Sequence, residues 1–157
     1  GAGGKSGILS LYHAWKKAGS KGQVIALEFS EEACCELGRL GFQHHLIRAN
    51  AQDPVEVYER VAQVTDGRMA DLTINCVNVP NTELSAILAT RDEGLVYFFS
   101  MAVRFTTAAL GAEGVGKDVQ MMIGNGFAPG HAALTLDTLR ESRALREIFC
   151  SKFSVTT

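Results

Sequence analysis

Gly1-Ala2-Gly3-Gly4-Lys5-Ser6-Gly7 opens the chain, and apolar residues at helical spacing follow at once: Ile8, Leu11, Tyr12 and Trp15. Glycine lets the main chain approach an anion closely, and the unpaired N–H groups of a first helical turn point at it. The stretch therefore reads as a phosphate-holding turn, of one of two kinds. Taken from Ala2 it spells AxGxxG ending on Gly7, a variant of the dinucleotide fingerprint, with Gly7 allowing close packing of the helix. Gly4-Lys5-Ser6 also spells the ending of a P-loop.

Downstream residues bear on the choice. A P-loop needs a glycine five positions before Gly4, which lies outside the chain, and an apolar strand closing on Asp for Mg²⁺. The strand-like runs close on Glu28-Phe29, Ala49-Asn50, Val77-Asn78, Ser100-Met101 and Gly124-Asn125, and Glu28 is the nearest imitation of that Asp. A dinucleotide unit instead predicts an acid at the end of the second strand, about 20 residues beyond the turn, to take the adenosine ribose. Glu28 stands 21 residues after Gly7, at the end of a β-branched and apolar run and just before a new helix. This favours the dinucleotide reading.

The chain then alternates. Helix is expected over 6–18, strand over 23–29, and helix from Ser30 to about Leu40, with Gly41 as its stop. A short strand is expected over 45–50. A helix over 54–65 opens on the Asp53 cap and Pro54. Strand 71–77 and helix 82–90 come next, and Glu93-Gly94 leads into strand 95–101. Residues 103–117 mix a short helix with glycine-rich loop. A fifth strand-like run at 119–124 and a turn at Asn125-Gly126 precede helices over 130–141 and about 143–152. Strands alternating with helices point to an α/β fold, a doubly wound parallel sheet of Rossmann type in one domain spanning residues 1–157. A phosphate turn normally follows the central strand of such a sheet. The reading therefore expects that first strand to lie before Gly1, the chain being a fragment of a two-domain enzyme, with a gap between the strands at 23–29 and 71–77.

With 157 residues, 46% hydrophobic and a formal net charge of −2, the chain has an ordinary globular composition, without the basic footprint of a nucleic-acid or membrane-surface protein. A cytoplasmic protein is expected, its four cysteines (Cys34, Cys35, Cys76, Cys150) reduced and mostly buried. No metal is expected: His44 and His45 precede a strand and point to opposite faces.

The runs GAGGKSG, VIALEFSEEA, ADLTINCVNVPNTELSAILATRDEGLVYFFSMA and FTTAALGAEGVGKDVQMMIGNG together resemble the cofactor domain of the L-erythro-3,5-diaminohexanoate dehydrogenase family, which is similar there to the medium-chain alcohol dehydrogenases. The resemblance runs to about Phe149. It implies an NAD(P)-dependent oxidoreductase of lysine fermentation that deaminates 3,5-diaminohexanoate oxidatively to 5-amino-3-oxohexanoate, and a homodimer formed through the edge at 119–124. It also implies a catalytic domain outside this chain, so catalytic residues stay unassigned and the chain by itself is expected to be inactive.

Carried over by resemblance and strand order, the cofactor residues are Gly3, Gly4, Lys5, Ser6 and Gly7 at the pyrophosphate, Glu28 at the ribose, and Phe29 and Ser30 flanking the adenosine. Asn50 and Ala51 are expected near adenine, and Val77, Asn78, Ser100 and Met101 on the nicotinamide side. The charge of Glu28 would repel a 2′-phosphate, which favours NAD, with NADP the alternative. Arg104 and Lys117 are expected to flank the nicotinamide side. Two other readings stay open: a non-catalytic dinucleotide-binding regulatory module and a P-loop nucleotide-binding protein.

Overall fold

The computed structural model describes residues 1–19, 21–124 and 128–153. Helices and parallel strands alternate in the order α1 (Lys5–Ala18), β1 (Ile25–Glu28), α2 (Glu31–Leu40), β2 (His45–Arg48), α3 (Pro54–Thr65), β3 (Ala70–Asn75), α4 (Glu83–Leu88), β4 (Thr90–Phe98), α5 (Phe105–Gly114) and β5 (Gln120–Ile123). These make one compact unit, Gly1–Asn125. A second unit, Gly126–Thr157, carries α6 (His131–Glu141) and α7 (Arg143–Phe153), joined at Ser142. The turn expected at Asn125-Gly126 lies outside the described residues.

Local chemistry sets the boundaries. Ser30 Oγ accepts the Ala33 N–H at the start of α2, and Gly41 ends that helix with φ 67°. Asp53 caps α3 through the Glu56 N–H at 3.0 Å, with Pro54 in its first turn. Ile25 and Leu27 of β1 and Ile47 of β2 pack on Val57 and Val61 of α3. Val96 and Phe98 of β4 pack on Ala86 and Ile87 of α4 and Ala108 and Ala112 of α5. Alternation turns Val24 and Ala26 to the other face of the first sheet. Tyr12 and Trp15 of α1 form an aromatic group with Phe42, at centroid distances of 5.0 and 5.4 Å.

The strands form two sheets among the described residues. β1 pairs in parallel with β2, from Ile25 opposite His45 to Glu28 opposite Arg48. β3, β4 and β5 make a second parallel sheet in that order. No ladder joins β1 to β3.

Three expectations need correction. β4 begins at Thr90, not at residue 95, because the segment Arg91–Gly94 bulges within the strand rather than preceding it. The register passes from Ala70 opposite Thr90 to Leu72 opposite Leu95, and Glu93 takes φ 61°. Gly94 is needed there, since a Cβ would stand 2.6 Å from Thr90 Cγ2 and 3.1 Å from the Asp71 carbonyl oxygen. The glycines at 111 and 114 lie inside α5 instead of in a loop. Finally, Cys35 and Cys150 are exposed and Cys34 and Cys76 half-buried, because Cys35 and Cys150 fall on outward faces of their helices.

Candidate functional site

α1 starts without a capping side chain and without an acid in its first turn, so nothing of its own neutralises the positive end of the helix. The turn before it is packed too tightly for side chains. A Cβ on Gly7 would lie 2.5 Å from the Gly1 carbonyl oxygen and 2.7 Å from that of Ala2, one on Gly3 would lie 2.7 Å from Ala33 Cβ, and one on Gly1 would run into Glu28 Oε2. Gly4, by contrast, is exposed and has open space on its Cβ side apart from the Gly1 carbonyl oxygen at 3.6 Å. The turn docks on β1: the Ala2 N–H donates to the Leu27 carbonyl at 3.1 Å.

Glu28 ends β1 directly beside this turn. Its Oε2 accepts the Gly3 N–H at 2.9 Å, and its Oε1 accepts the N–H groups of Phe29 at 2.8 Å and Ser30 at 3.2 Å. Burial pushes the carboxyl pKa up. The donors Gly3, Ser30 and Phe29 outweigh burial and hold it below its ordinary value. A carboxylate has about four acceptor positions. Three are used here, so Oε2 keeps one, and the side chain remains 12% exposed.

The other expected residues lie at the carboxyl ends of their strands, as ligand-facing groups do in open α/β sheets. Loop bonds tie these ends into one rim: Gln52 Nε2 donates to the Pro80 carbonyl, Ser85 Oγ to that of Ala51, and the Phe99 N–H to that of Asn75. Most of their polar groups serve the loops themselves. Asn50 Oδ1 accepts the Gln52 N–H, its own N–H goes to Glu56, and Ser100 Oγ accepts the Ala102 N–H. The Val77 N–H is taken by Asn75, and Asn75 is buried on Thr82. Phe29, Ser30, Asn78 and Met101 are exposed at the rim, and Lys5 stands exposed at the head of α1 beside half-buried Ser6. Arg104 also lies at the rim, heading α5. Lys117 does not: its Nζ donates to the Thr90 carbonyl at 2.9 Å and pairs with Asp92, at the amino end of β4. A lysine after a helix is drawn back to the carbonyls and acid of the strand start, so it cannot flank the nicotinamide side.

Sequence reading missed Glu83. It sits in the first turn of α4, where an acid normally faces water, yet it is 1% exposed. Its Oε1 accepts the Arg104 N–H at 2.6 Å at the start of α5, while Oε2 has no hydrogen-bond partner. The apolar run around it, Leu84 to Leu88, was the available signal that this turn is enclosed.

Burial pushes the Cys76 thiol pKa up. Burial, with the charge of Glu28, raises that of Cys34 as well. Neither is an activated nucleophile. His44 Nδ1 accepts the Val24 N–H and His45 bonds Gln23, so both histidines brace the entry to β2.

Alternating helices and parallel strands, a glycine turn without room for side chains and an acid closing the next strand define a Rossmann-like fold of the medium-chain dehydrogenase type. The alcohol dehydrogenase of the archaeon Aeropyrum pernix matches with a TM-score of 0.64 at 19% identity, over 88% of this chain and 38% of that one. A mycobacterial protein solved in complex with NADPH matches at 0.58 and 13% identity, over 99% of this chain and 46% of the other. No family model matches the chain. In sequence, the chain is homologous to L-erythro-3,5-diaminohexanoate dehydrogenase: 52% identical to that of Acetoanaerobium sticklandii and 48% identical to that of Fusobacterium nucleatum, each over 149 residues, 95% of this chain. It spans 43% of the length of each relative.

Proposed function

We propose that the chain is the cofactor-binding part of an NAD-dependent dehydrogenase that converts 3,5-diaminohexanoate and water to 5-amino-3-oxohexanoate and ammonium. The observation that carries the reading is Glu28, held against the glycine turn with one acceptor position left on Oε2. The homology supplies the substrate. Bound NAD⁺ would accept the hydride from the carbon that bears the departing amine.

This chain's residues fit such a cofactor. The open N-terminus of α1 and the close packing at Gly3 and Gly7 suit a pyrophosphate, with exposed Gly4 beside it and Lys5 and Ser6 in the first turn. Glu28 can accept from one ribose hydroxyl, and its charge disfavours a 2′-phosphate. Phe29 and Ser30 would border the adenosine and Asn50 and Ala51 the adenine. Val77, Asn78, Ser100 and Met101 would border the nicotinamide half. Because three donors already hold Glu28, the carboxylate is oriented before the ribose arrives. The fold reading extends to a doubly wound sheet. The homodimer would use β5, whose outer edge is unpaired among the described residues and whose Met122 and Ile123 are each 52% exposed.

NADH titration of the full-length protein tests this. NADH should bind, NADPH should bind more weakly, and Glu28→Gln should weaken NADH by about tenfold, the loss of one hydrogen bond to a charged group. Binding of Mg-ATP with none of NADH would return the P-loop reading. NADH binding without turnover of the diamino acid would leave the regulatory module.

A further inference from the structure

Two short loops border the nicotinamide half under the reading above: residues 76–82 after β3 and residues 99–104 after β4. Asn75 and Thr82 close the first. Asn75 Oδ1 accepts the Val77 N–H at 3.0 Å, and Asn75 Nδ2 donates to Thr82 Oγ1 at 3.0 Å. The second is tied to the first at both ends. The Phe99 N–H donates to the Asn75 carbonyl at 2.9 Å, and the Arg104 N–H donates to Glu83 Oε1 at 2.6 Å. Between those two ties Met101 is 98% exposed and Ser100 half-buried. Val103 packs into the core with Ile87 and Phe98, which sets the depth of the loop end. The carboxylate sets where the main chain enters α5. That helix has no capping side chain of its own, so an acceptor 21 residues upstream stands at its start.

We propose that Glu83 is a positioning residue for the nicotinamide half of the cofactor. It acts through the Arg104 N–H, fixing the path of residues 99–104 against residues 76–82, and touches no ligand itself. The proposal rests on the cofactor reading and deepens it. Burying an acid whose Oε2 has no hydrogen-bond partner costs stability. Local rules are broken at such a cost where function sets the residue. Release of the Arg104 end would change the spacing between Val77-Asn78 and Ser100-Met101, and a ring held between them loses its orientation. The adenosine half is insulated from this change. Glu28 is held by Gly3, Phe29 and Ser30, and none of those bonds reaches either loop. Glu83 therefore governs one half of the dinucleotide and Glu28 the other.

Calorimetric titration of the full-length protein with ADP and with NADH reads the split, at a temperature where each variant is folded. Glu83→Ala should leave ADP affinity within about twofold of the parent and weaken NADH about tenfold. Glu83→Gln keeps an acceptor for the Arg104 N–H and should restore NADH to within about threefold of the parent. Glu28→Gln should weaken both nucleotides alike. Equal losses of ADP and NADH in Glu83→Ala would overturn the proposal, because the acid would then support the whole domain and not one half of the site. Unchanged NADH affinity in that variant would overturn it as well, and so would a Gln variant as weak as Ala. Should Glu83→Ala fail to fold, Glu83→Asp retains a carboxyl and shortens its reach by one methylene, and the same loss of NADH without loss of ADP is expected of it. A parent that binds neither nucleotide would overturn the cofactor reading and the proposal with it, whereas a parent that binds both without the split would overturn the proposal alone.

Discussion

The two sheets close their strands in different ways. β1 ends on Glu28, a carboxylate held by three main-chain donors with one acceptor position left at the surface. β3 ends on Asn75, whose side chain is spent on Thr82 and Val77, and the nearby acid, Glu83, is buried under the start of α5. Both halves put polar residues at the carboxyl ends of parallel strands. What separates them is the hydrogen-bonding capacity left after the loops are satisfied. In the first half some remains for a ligand, and in the second it goes into shaping the loop on which a ligand would rest.

The largest effect should come from the glycines. Gly7→Ala brings a Cβ to 2.5 Å from a main-chain oxygen, and it should cost about 3 kcal/mol and abolish NADH binding. Gly111→Ala in α5 meets only Leu84 Cδ1 at 3.6 Å and should instead stabilise by up to about 1 kcal/mol. Thermal melting of the pair reads this contrast, and equal losses would break it.

Glu83 comes next. Glu83→Ala leaves the Arg104 N–H without its acceptor inside the protein and should cost about 2 kcal/mol, whereas Glu83→Gln keeps that acceptor and should stay within about 1 kcal/mol of the parent. Denaturant midpoints decide between a shape role, which Gln preserves, and a charge role, which it does not.

Acid should act on the first half. Glu28 has a folded pKa below its unfolded value, so its contribution to stability is present above the unfolded pKa near 4.5 and is lost as pH falls through the folded one. Melting curves below pH 4.5 should fall less steeply for Glu28→Gln than for the parent. The smallest effects are at the caps. Asp53→Ala should cost about 1 kcal/mol and Ser30→Ala, whose bond is 3.4 Å long, about 0.5 kcal/mol. Arg104→Ala should cost less than either, since α5 takes its cap from Glu83 and not from its own first residue.

Local signals made most elements readable in advance. Ser30, Gly41 and Asp53-Pro54 mark helix ends through contacts a few residues long, and those ends stand where the spacing puts them. Glu28 was legible because strand length and helix length fix its distance from Gly7. The placement of β4 was not, because Asp92-Glu93-Gly94 carries turn chemistry whose use as a bulge depends on β3 beside it. Glu83 and Lys117 were misjudged for a related reason. Each is a charged residue in a setting that normally faces water, and each is drawn inward by a main-chain group far along the chain, Arg104 N–H in one case and the Thr90 carbonyl in the other. Nothing within a few residues of either announces that partner.

The bulge at Gly94 has a consequence for alignment. β4 lies between β3 and β5, so one kink sets its register to both. Side chains alternate with a period of two, and a slip of one residue would carry Val96 and Phe98, now 0% and 2% exposed, out to the opposite face. Such a slip would also bring Leu95 or Glu93 to the point where a Cβ meets Thr90 and Asp71. Misthreaded sheets are thereby excluded by steric conflict before the core can reward them, and the alignment of three strands rests on one missing side chain.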